Sequence, residues 1–283
     1  MPVVSAAEII GAARAAGCGA GAFNVIGIEH AEAVVAGAEK AGAAVVLQIS
    51  ENCVAYHGAL APIGRAVLAV ARAATVPAAV HLDHATNADL VEEAVALGFG
   101  SIMYDGSALP FSENVRETAR IAARCHGHGV FVEAELGEVG GKDGVHAASA
   151  RTNPAEAAEF VCVTGVDALA VAVGSSHAMV TRDAVLDLEL VRQIHAALPV
   201  PLVLHGSSGI PDDALGAAIE AGLTKINIAT QLNKVFTLAV RDYLAREGAV
   251  TDPRRYLAAG REAVAAEVAR LLGVLRADLR SRV

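Results

Sequence analysis

Tryptophan is missing from this 283-residue chain and aromatic residues make up only 4% of it, so the core must be built from alanine, valine, leucine and isoleucine. That composition suits helices packed closely on a parallel sheet, whose strands read as short apolar runs. Cysteine is scarce: Cys18, Cys53, Cys125 and Cys162 are scattered with no Cys-x-x-Cys pair. A disulfide framework and a cysteine-zinc site are thereby excluded, and the four read as small buried or partly exposed thiols. No lysine- or arginine-rich block occurs, and the net charge is −9. Nucleic acid and an anionic membrane surface are therefore not expected as partners. An acidic protein can still bind a phosphorylated metabolite through backbone amides and a metal. No long uncharged apolar run suggests a membrane span, and the first residues lack the pattern of a signal peptide. The expectation is a cytoplasmic protein.

What is present is alternation. Strand-length apolar runs fall at 20–25, 44–49, 78–83, 100–105, 129–135, 167–173, 200–205 and 223–228. Alanine-rich segments of helical period separate them, at 29–41, 60–74, 87–96, 112–126, 154–164, 187–197 and 211–220. A helix with Ser5 and Glu8 in capping-box spacing precedes them, and helices near 230–246 and 259–278 follow. Eight strands each followed by a helix is the count of an α/β fold of the (β/α)8 TIM-barrel type, with an extra N-terminal helix and a C-terminal helical extension. Residues 1–283 read as one domain. Gly17-Cys18-Gly19-Ala20-Gly21 precedes a strand instead of following one, so it is a helix end and turn and not a dinucleotide fingerprint.

Three strand ends carry histidine. Val80 runs into His81-Leu82-Asp83-His84, Val173 into Gly174-Ser175-Ser176-His177, and Leu204 into His205-Gly206-Ser207-Ser208-Gly209. Barrel active sites sit at the C-terminal ends of strands. One strand-end histidine is as readily a hydrogen-bonded core residue, but three at one mouth point to a catalytic metal with an open position. His84, His177 and His205 are the expected ligands, while His81 lies deeper. His30, His57, His126, His128, His146 and His195 fall on helices or loops and read as solvated. Asp83, beside a ligand, reads as a general acid/base, with Asn87 the better placed helix cap. Along an ideal strand Asp83 and His84 face opposite ways, so only the strand terminus can free both toward the cavity. Asp105 and Glu135 end strands four and five; they can orient the ligands, offer the metal a carboxylate, or pair across the mouth. Gly206-Ser207-Ser208-Gly209 and Asn227-Ile228-Ala229-Thr230 read as phosphate cradles after strands seven and eight, or as two tight turns. The first does not fit the serine-hydrolase elbow.

Taken together, Ala22-Phe23-Asn24, Leu47-Gln48-Ile49-Ser50, His81-Leu82-Asp83-His84, Ser101-Ile102-Met103-Tyr104-Asp105, Val132-Glu133-Ala134-Glu135-Leu136-Gly137, Thr164-Gly165-Val166-Asp167, His205-Gly206-Ser207-Ser208-Gly209 and Lys225-Ile226-Asn227-Ile228-Ala229-Thr230 resemble the class II, metal-dependent fructose-bisphosphate and tagatose-bisphosphate aldolases. The resemblance implies a Zn2+-bound barrel that cleaves a phosphorylated ketose into dihydroxyacetone phosphate and an aldehyde, as a homodimer or homotetramer. It makes His84, His177 and His205 zinc ligands and Asp83 the group that moves the C4 hydroxyl proton. Gly206, Ser207, Ser208, Asn227, Ala229 and Thr230 then hold the dihydroxyacetone phosphate end, often with Na+ or K+ nearby, and Asn24 and Ser50 also face substrate. Arg254, in Asp252-Pro253-Arg254, resembles the arginine that such proteins lend to a neighbouring subunit's second phosphate.

Two departures from that pattern stand out. Ala178 replaces the glycine that usually follows the second zinc histidine. The family's loop usually carries a Glu-Asp pair after the double glycine, whereas this chain reads Gly140-Gly141-Lys142-Asp143-Gly144, which leaves Asp143 or Glu138 to exchange the C3 proton. Ala229 is more similar to the tagatose-type branch, yet fructose 1,6-bisphosphate, tagatose 1,6-bisphosphate and a phosphorylated deoxy-keto sugar acid all stay open as substrates. Lys225 and Lys234 are the candidates for a rival Schiff-base route. A metal-dependent hydrolase and a non-catalytic partner barrel are the rival functions.

Overall fold

The computed structural model of the chain describes residues 3–136, 151–176 and 181–277. Eight parallel strands close into one barrel in chain order: β1 (Ala20–Asn24), β2 (Val45–Ser50), β3 (Ala78–Ala85), β4 (Ser101–Tyr104), β5 (Phe131–Leu136), β6 (Ala168–Val171), β7 (Leu202–Leu204) and β8 (Leu223–Ile228). The ring shuts where Ala20 pairs with Lys225 and Phe23 with Ile228. Helices α1 (Ala6–Ala16), α2 (Ile28–Ala41), α3 (Glu51–His57), α4 (Leu60–Ala73), α5 (Ala88–Leu97), α6 (Phe111–His126), α7 (Pro154–Thr164), α8 (Leu188–Ala197), α9 (Asp212–Ala221), α10 (Thr230–Arg246) and α11 (Pro253–Val274), with a 3-10 turn at Ser207–Gly209, complete the described elements.

Alternation along each strand decides which side chains see the barrel axis. On β3, Ala78, Val80 and Leu82 join the core between strands and helices, while Ala79 joins the core inside the barrel. His81 and Asp83 follow Ala79 on the inner side. The same period sends Asn24, Gln48, Ser50, Glu133, Glu135, Lys225 and Asn227 inward. Inside the barrel, apolar residues such as Ala20, Val46 and Phe131 fill the N-terminal half and pack on Ile9, Ile10 and Ala13 of α1. Burying Ile9 and Ile10 contributes roughly 1.5–3 kcal/mol each. Helix α1, held by its Ser5–Glu8 capping box, therefore plugs the bottom and leaves only the C-terminal mouth for polar chemistry.

At the barrel's flank α11 lies against α2 at a spacing that depends on Gly37. A Cβ there would come within 2.6 Å of the Ala265 carbonyl and 2.7 Å of Val268 Cβ.

The sequence reading needs four corrections. β6 and β7 are shorter than 167–173 and 200–205, because the chain leaves the ladder early to form the loops of the mouth. The last helix starts at Pro253, not 259, since Asp252 caps it and proline suits the first helical turn, and it ends at Val274. Helix α3 was unforeseen; it is too short to show a helical period, but the Ser50 hydroxyl caps it by accepting from Cys53 N at 3.2 Å. His30 is buried, not solvated, and stacks on Phe236 at 4.7 Å, because the face of α2 that carries it meets α10. Cys53 and Cys125 are buried, Cys18 is partly buried and Cys162 is exposed, as expected of small thiols.

Candidate active site

The end of β3 breaks the alternation rule. Its register against β4 shifts between Leu82 and Ala85, and His84 takes φ +52, an uncommon conformation for a residue other than glycine. This bulge lets consecutive residues Asp83 and His84 face the same cavity, with His84 Nε2 4.0 Å from Asp83 Oδ1. Asp83 is held from β1: Gln48 Nε2 donates to Asn24 Oδ1 at 3.0 Å, and Asn24 Nδ2 donates to Asp83 Oδ2 at 2.8 Å. Burial pushes the Asp83 carboxyl up, but the charges of His84, His205 and Lys225 and the Asn24 amide outweigh it and hold Asp83 at about 2. It is a carboxylate at neutral pH.

Across the mouth, His205 follows β7 and is fully buried. Its ring meets that of His84 edge-on, centroids 4.5 Å apart, with His205 Nδ1 2.8 Å from His84 Nε2. The far nitrogen of each ring faces a carboxylate. His84 Nδ1 lies 2.8 Å from Asp105 Oδ2 and 3.8 Å from Glu135 Oε2, and His205 Nε2 lies 2.9 Å from Glu133 Oε1. A carboxylate can only accept, so the two far nitrogens carry the protons. The two near nitrogens then face each other as acceptors, with the Asn227 amide nitrogen 3.5 Å from that of His205. Such an arrangement is satisfied by a cation shared between them, and an imidazole that gives its other N–H to a carboxylate is the usual form of a metal ligand. His84 Nε2, His205 Nδ1 and Asp83 thus fit a divalent ion, and His84, Asp105 and Glu135 make a second convergent set.

Beneath His205 sits a pair whose link the sequence did not reveal, although Lys225 stood out as a Schiff-base candidate. Glu133 Oε2 accepts from Lys225 Nζ at 2.7 Å, and both side chains are completely buried. Lys225 neutralises the carboxylate that orients His205, and the salt bridge occupies the Lys225 amine that a Schiff base would need. Alternation on β5 and β8 puts both residues on the inner face, which is the signal that could have found them. His81 lies beside them, its Nδ1 2.6 Å from Ser101 Oγ; burial, then the charge of Lys225, keep its pKa well below the ordinary imidazole value. Replacing Lys225 with methionine strands a buried charge, so Lys225→Met is expected to cost about 3–5 kcal/mol of stability. Urea unfolding measures this, and Lys225→Met/Glu133→Gln is expected to recover a large part of the loss.

The other expected residues divide. Gly206 adopts φ +67 and presses on the backbone of Ser176, where a Cβ would come within 2.6 Å of its carbonyl. The Ser207 hydroxyl donates to the Asn227 carbonyl, and Ser208 Oγ accepts from Gln231 N at 3.2 Å. Asn227 brings its amide nitrogen to 3.5 Å from Asp83 Oδ1 and 3.1 Å from His205 Nε2. Ala229 and Thr230 sit at the start of α10, so the turn after β7 and the amino end of α10 adjoin at one mouth. Arg254 stands apart on the first turn of α11, with its side chain 89% exposed and paired with Asp252 at 2.7 Å. His177, Ala178, Glu138 and Asp143 lie outside the described residues.

A parallel barrel plugged at one end, with imidazoles and carboxylates converging at the other, defines a barrel enzyme whose donor set suits a divalent cation. Comparison with known proteins narrows the class. The family model "Fructose-bisphosphate aldolase class-II" matches residues 4–279. The chain is 38% identical over 272 residues to the fructose-bisphosphate aldolase of Geobacillus stearothermophilus, covering 95% of each. It is 39% identical over 289 aligned positions to that of Thermus caldophilus, covering 93% of this chain and 94% of the relative. The crystal structure of the YdjI aldolase from Escherichia coli K12 superposes with a TM-score of 0.87 at 31% identity over the full length of both chains. The chain belongs to the class II fructose-bisphosphate aldolase family, and it is a carbon–carbon lyase of that class.

Proposed function

We propose that this protein is a Zn2+-dependent aldolase that reversibly cleaves a ketose 1,6-bisphosphate, of the fructose or tagatose type, into dihydroxyacetone phosphate and an aldehyde such as glyceraldehyde 3-phosphate. The observation that carries the reading is the pair of facing imidazole nitrogens, His84 Nε2 and His205 Nδ1, 2.8 Å apart with the Asp83 carboxylate beside them. Family membership supports the choice of metal and of substrate class.

In this reading His84 and His205 hold the ion together with His177. Asp105 and Glu135 orient His84 or lend it a carboxylate, and Glu133 orients His205. When bound, the metal supplies a Lewis acid that polarises the C2 carbonyl and stabilises the electron pair left as the C3–C4 bond breaks. Asp83 takes the C4 hydroxyl proton; Asn24 holds its Oδ2 at 2.8 Å, and Oδ1, 4.0 Å from His84 Nε2, is the oxygen beside the ion's site. Gly206, Ser207, Ser208, Asn227, Ala229 and Thr230 cradle the dihydroxyacetone phosphate end, with a Na+ or K+ ion alongside. Asn24 and Ser50 complete the wall, and Asp143 of the loop exchanges the C3 proton.

The protein acts in the cytoplasm as a homodimer or homotetramer. Helix α10 supports the oligomer: of its residues only Leu232 is buried, while Leu238 and Leu244 are 50% and 40% exposed. The exposure of Arg254 supports its delivery to a neighbouring subunit's second phosphate.

A panel of fructose 1,6-bisphosphate, tagatose 1,6-bisphosphate and a phosphorylated deoxy-keto sugar acid, with coupled detection of dihydroxyacetone phosphate, tests the proposal. One of the two bisphosphates is expected to give the product at a kcat of order 1–10³ s⁻¹. Release of inorganic phosphate without any triose phosphate would instead identify a hydrolase.

A further inference from the structure

Four segments that meet behind the turn after β7 are joined by side chains into a closed circuit. Arg182, from the same strand-to-helix connection as His177, donates to the Ile210 carbonyl through Nε at 3.0 Å and Nη2 at 2.5 Å. Its Nη2 also reaches Asp212 Oδ1 at 2.5 Å. The other Asp212 oxygen accepts from Arg270 Nη1 at 2.5 Å. Arg270, on α11, forks onto Glu267 at 2.8 and 2.9 Å. Glu267 accepts from Gln231 Nε2 at 3.0 Å, and Gln231 N donates to Ser208 Oγ at 3.2 Å. Ser208 and Ile210 belong to one turn, so the circuit closes on itself.

The geometry points to this circuit as a positioning device that holds the Gly206–Gly209 turn and the amino end of α10 at the spacing an anion requires. It rests on the reading that these two segments hold the substrate's phosphate. Two guanidiniums balance two carboxylates, so the circuit adds rigidity without adding net charge to the mouth. Planar guanidinium forks fix direction as well as distance, which a lysine could not do. A second tie reinforces it, since Ala184 N donates to the Gly209 carbonyl at 3.0 Å. Asp212 is the hinge of the circuit, because each of its oxygens takes a different arginine.

The test replaces Asp212 with alanine, asparagine and glutamate in the full-length, zinc-loaded protein. For Asp212→Ala and Asp212→Asn the KM for the bisphosphate is expected to rise about tenfold with kcat within about twofold, the pattern of a loss of uniform binding. Inorganic phosphate, titrated calorimetrically, is expected to bind weaker by a similar factor of about ten, while zinc content stays at that of the wild type. Asp212→Glu, which keeps the charge, is expected to recover part of the affinity. Arg276→Ala, which breaks a surface pair with Glu220 at the opposite end of the barrel, serves as the control and is expected to leave KM unchanged. Unaltered KM and phosphate affinity in Asp212→Ala would overturn the inference. So would a fall in kcat that merely tracks lost folded protein. If the wild type cleaves no phosphorylated ketose, the functional reading fails by itself, and the phosphate titration still decides the role of the circuit.

Discussion

Stripping divalent cations from the purified protein is expected to lower retro-aldol turnover at least about a thousandfold, equivalent to about 4 kcal/mol of transition-state stabilisation. One equivalent of Zn2+ is expected to restore it. The expectation follows from the donor set. Asp105 and Glu133 each accept from the outer nitrogen of a histidine, so His84 and His205 turn basic nitrogens toward a common point. The alternative electron sink is a protonated imine on lysine. Lys225, the candidate inside the barrel, is fully buried and held by Glu133 at 2.7 Å, so borohydride is expected to trap no adduct there. A second readout does not depend on turnover. Free zinc at a thousand times its dissociation constant stabilises the folded state by about 4 kcal/mol. For a domain of this size that raises the thermal midpoint by roughly 8–16 °C. His205→Ala is expected to abolish both the zinc-dependent shift and the activity. Turnover that survives complete chelation would remove the metal from the mechanism.

Much of this was legible in the chain, and the reasons are physical. Parallel strands buried on both faces read as short apolar runs, so the eight strands and their order emerge from composition alone. Polar residues that interrupt those runs near their ends, such as Asp105, Glu135 and Asn227, mark the mouth because a buried polar side chain needs partners that an apolar strand does not supply. Four things escaped. The strand terminus was expected to free both Asp83 and His84 toward one cavity, but the bulge that does so, with His84 at φ +52, is a backbone state that no residue type announces. The Glu133–Lys225 salt bridge joins β5 to β8, and period two says that both point inward without saying that they meet. The Arg182–Asp212–Arg270–Glu267–Gln231 circuit joins segments far apart in sequence, and only its Glu267–Arg270 step on α11 shows in the charge spacing along a helix. Helix α3 failed for a local reason, since seven residues between Ser50 and Gly58 are too few for a period to show.

Asp83→Asn is expected to reduce kcat by about 10²–10⁴-fold while zinc content and KM stay within a few-fold of wild type, the range attributed to a single positioned general acid/base. The substitution is nearly isosteric. Asn24 Nδ2 can still donate to the oxygen that replaces Asp83 Oδ2, so the Gln48–Asn24 chain and the fold of the mouth are retained. What is lost is the proton acceptor on the cavity side. The two functions that converge on this residue can be separated. If Asp83 served mainly to hold the metal, Asp83→Asn would lower zinc affinity and the thermal midpoint together, and excess zinc would rescue turnover. If it moves the C4 hydroxyl proton, saturating zinc leaves the defect in place. Exchange of the C3 proton of dihydroxyacetone phosphate with solvent separates the steps further, because that exchange requires the electron sink but not the C4 hydroxyl. Asp83→Asn is therefore expected to retain exchange at more than about a tenth of the wild-type rate, a loss of no more than about 1.4 kcal/mol. Loss of exchange in parallel with cleavage would reassign Asp83 from proton transfer to metal binding.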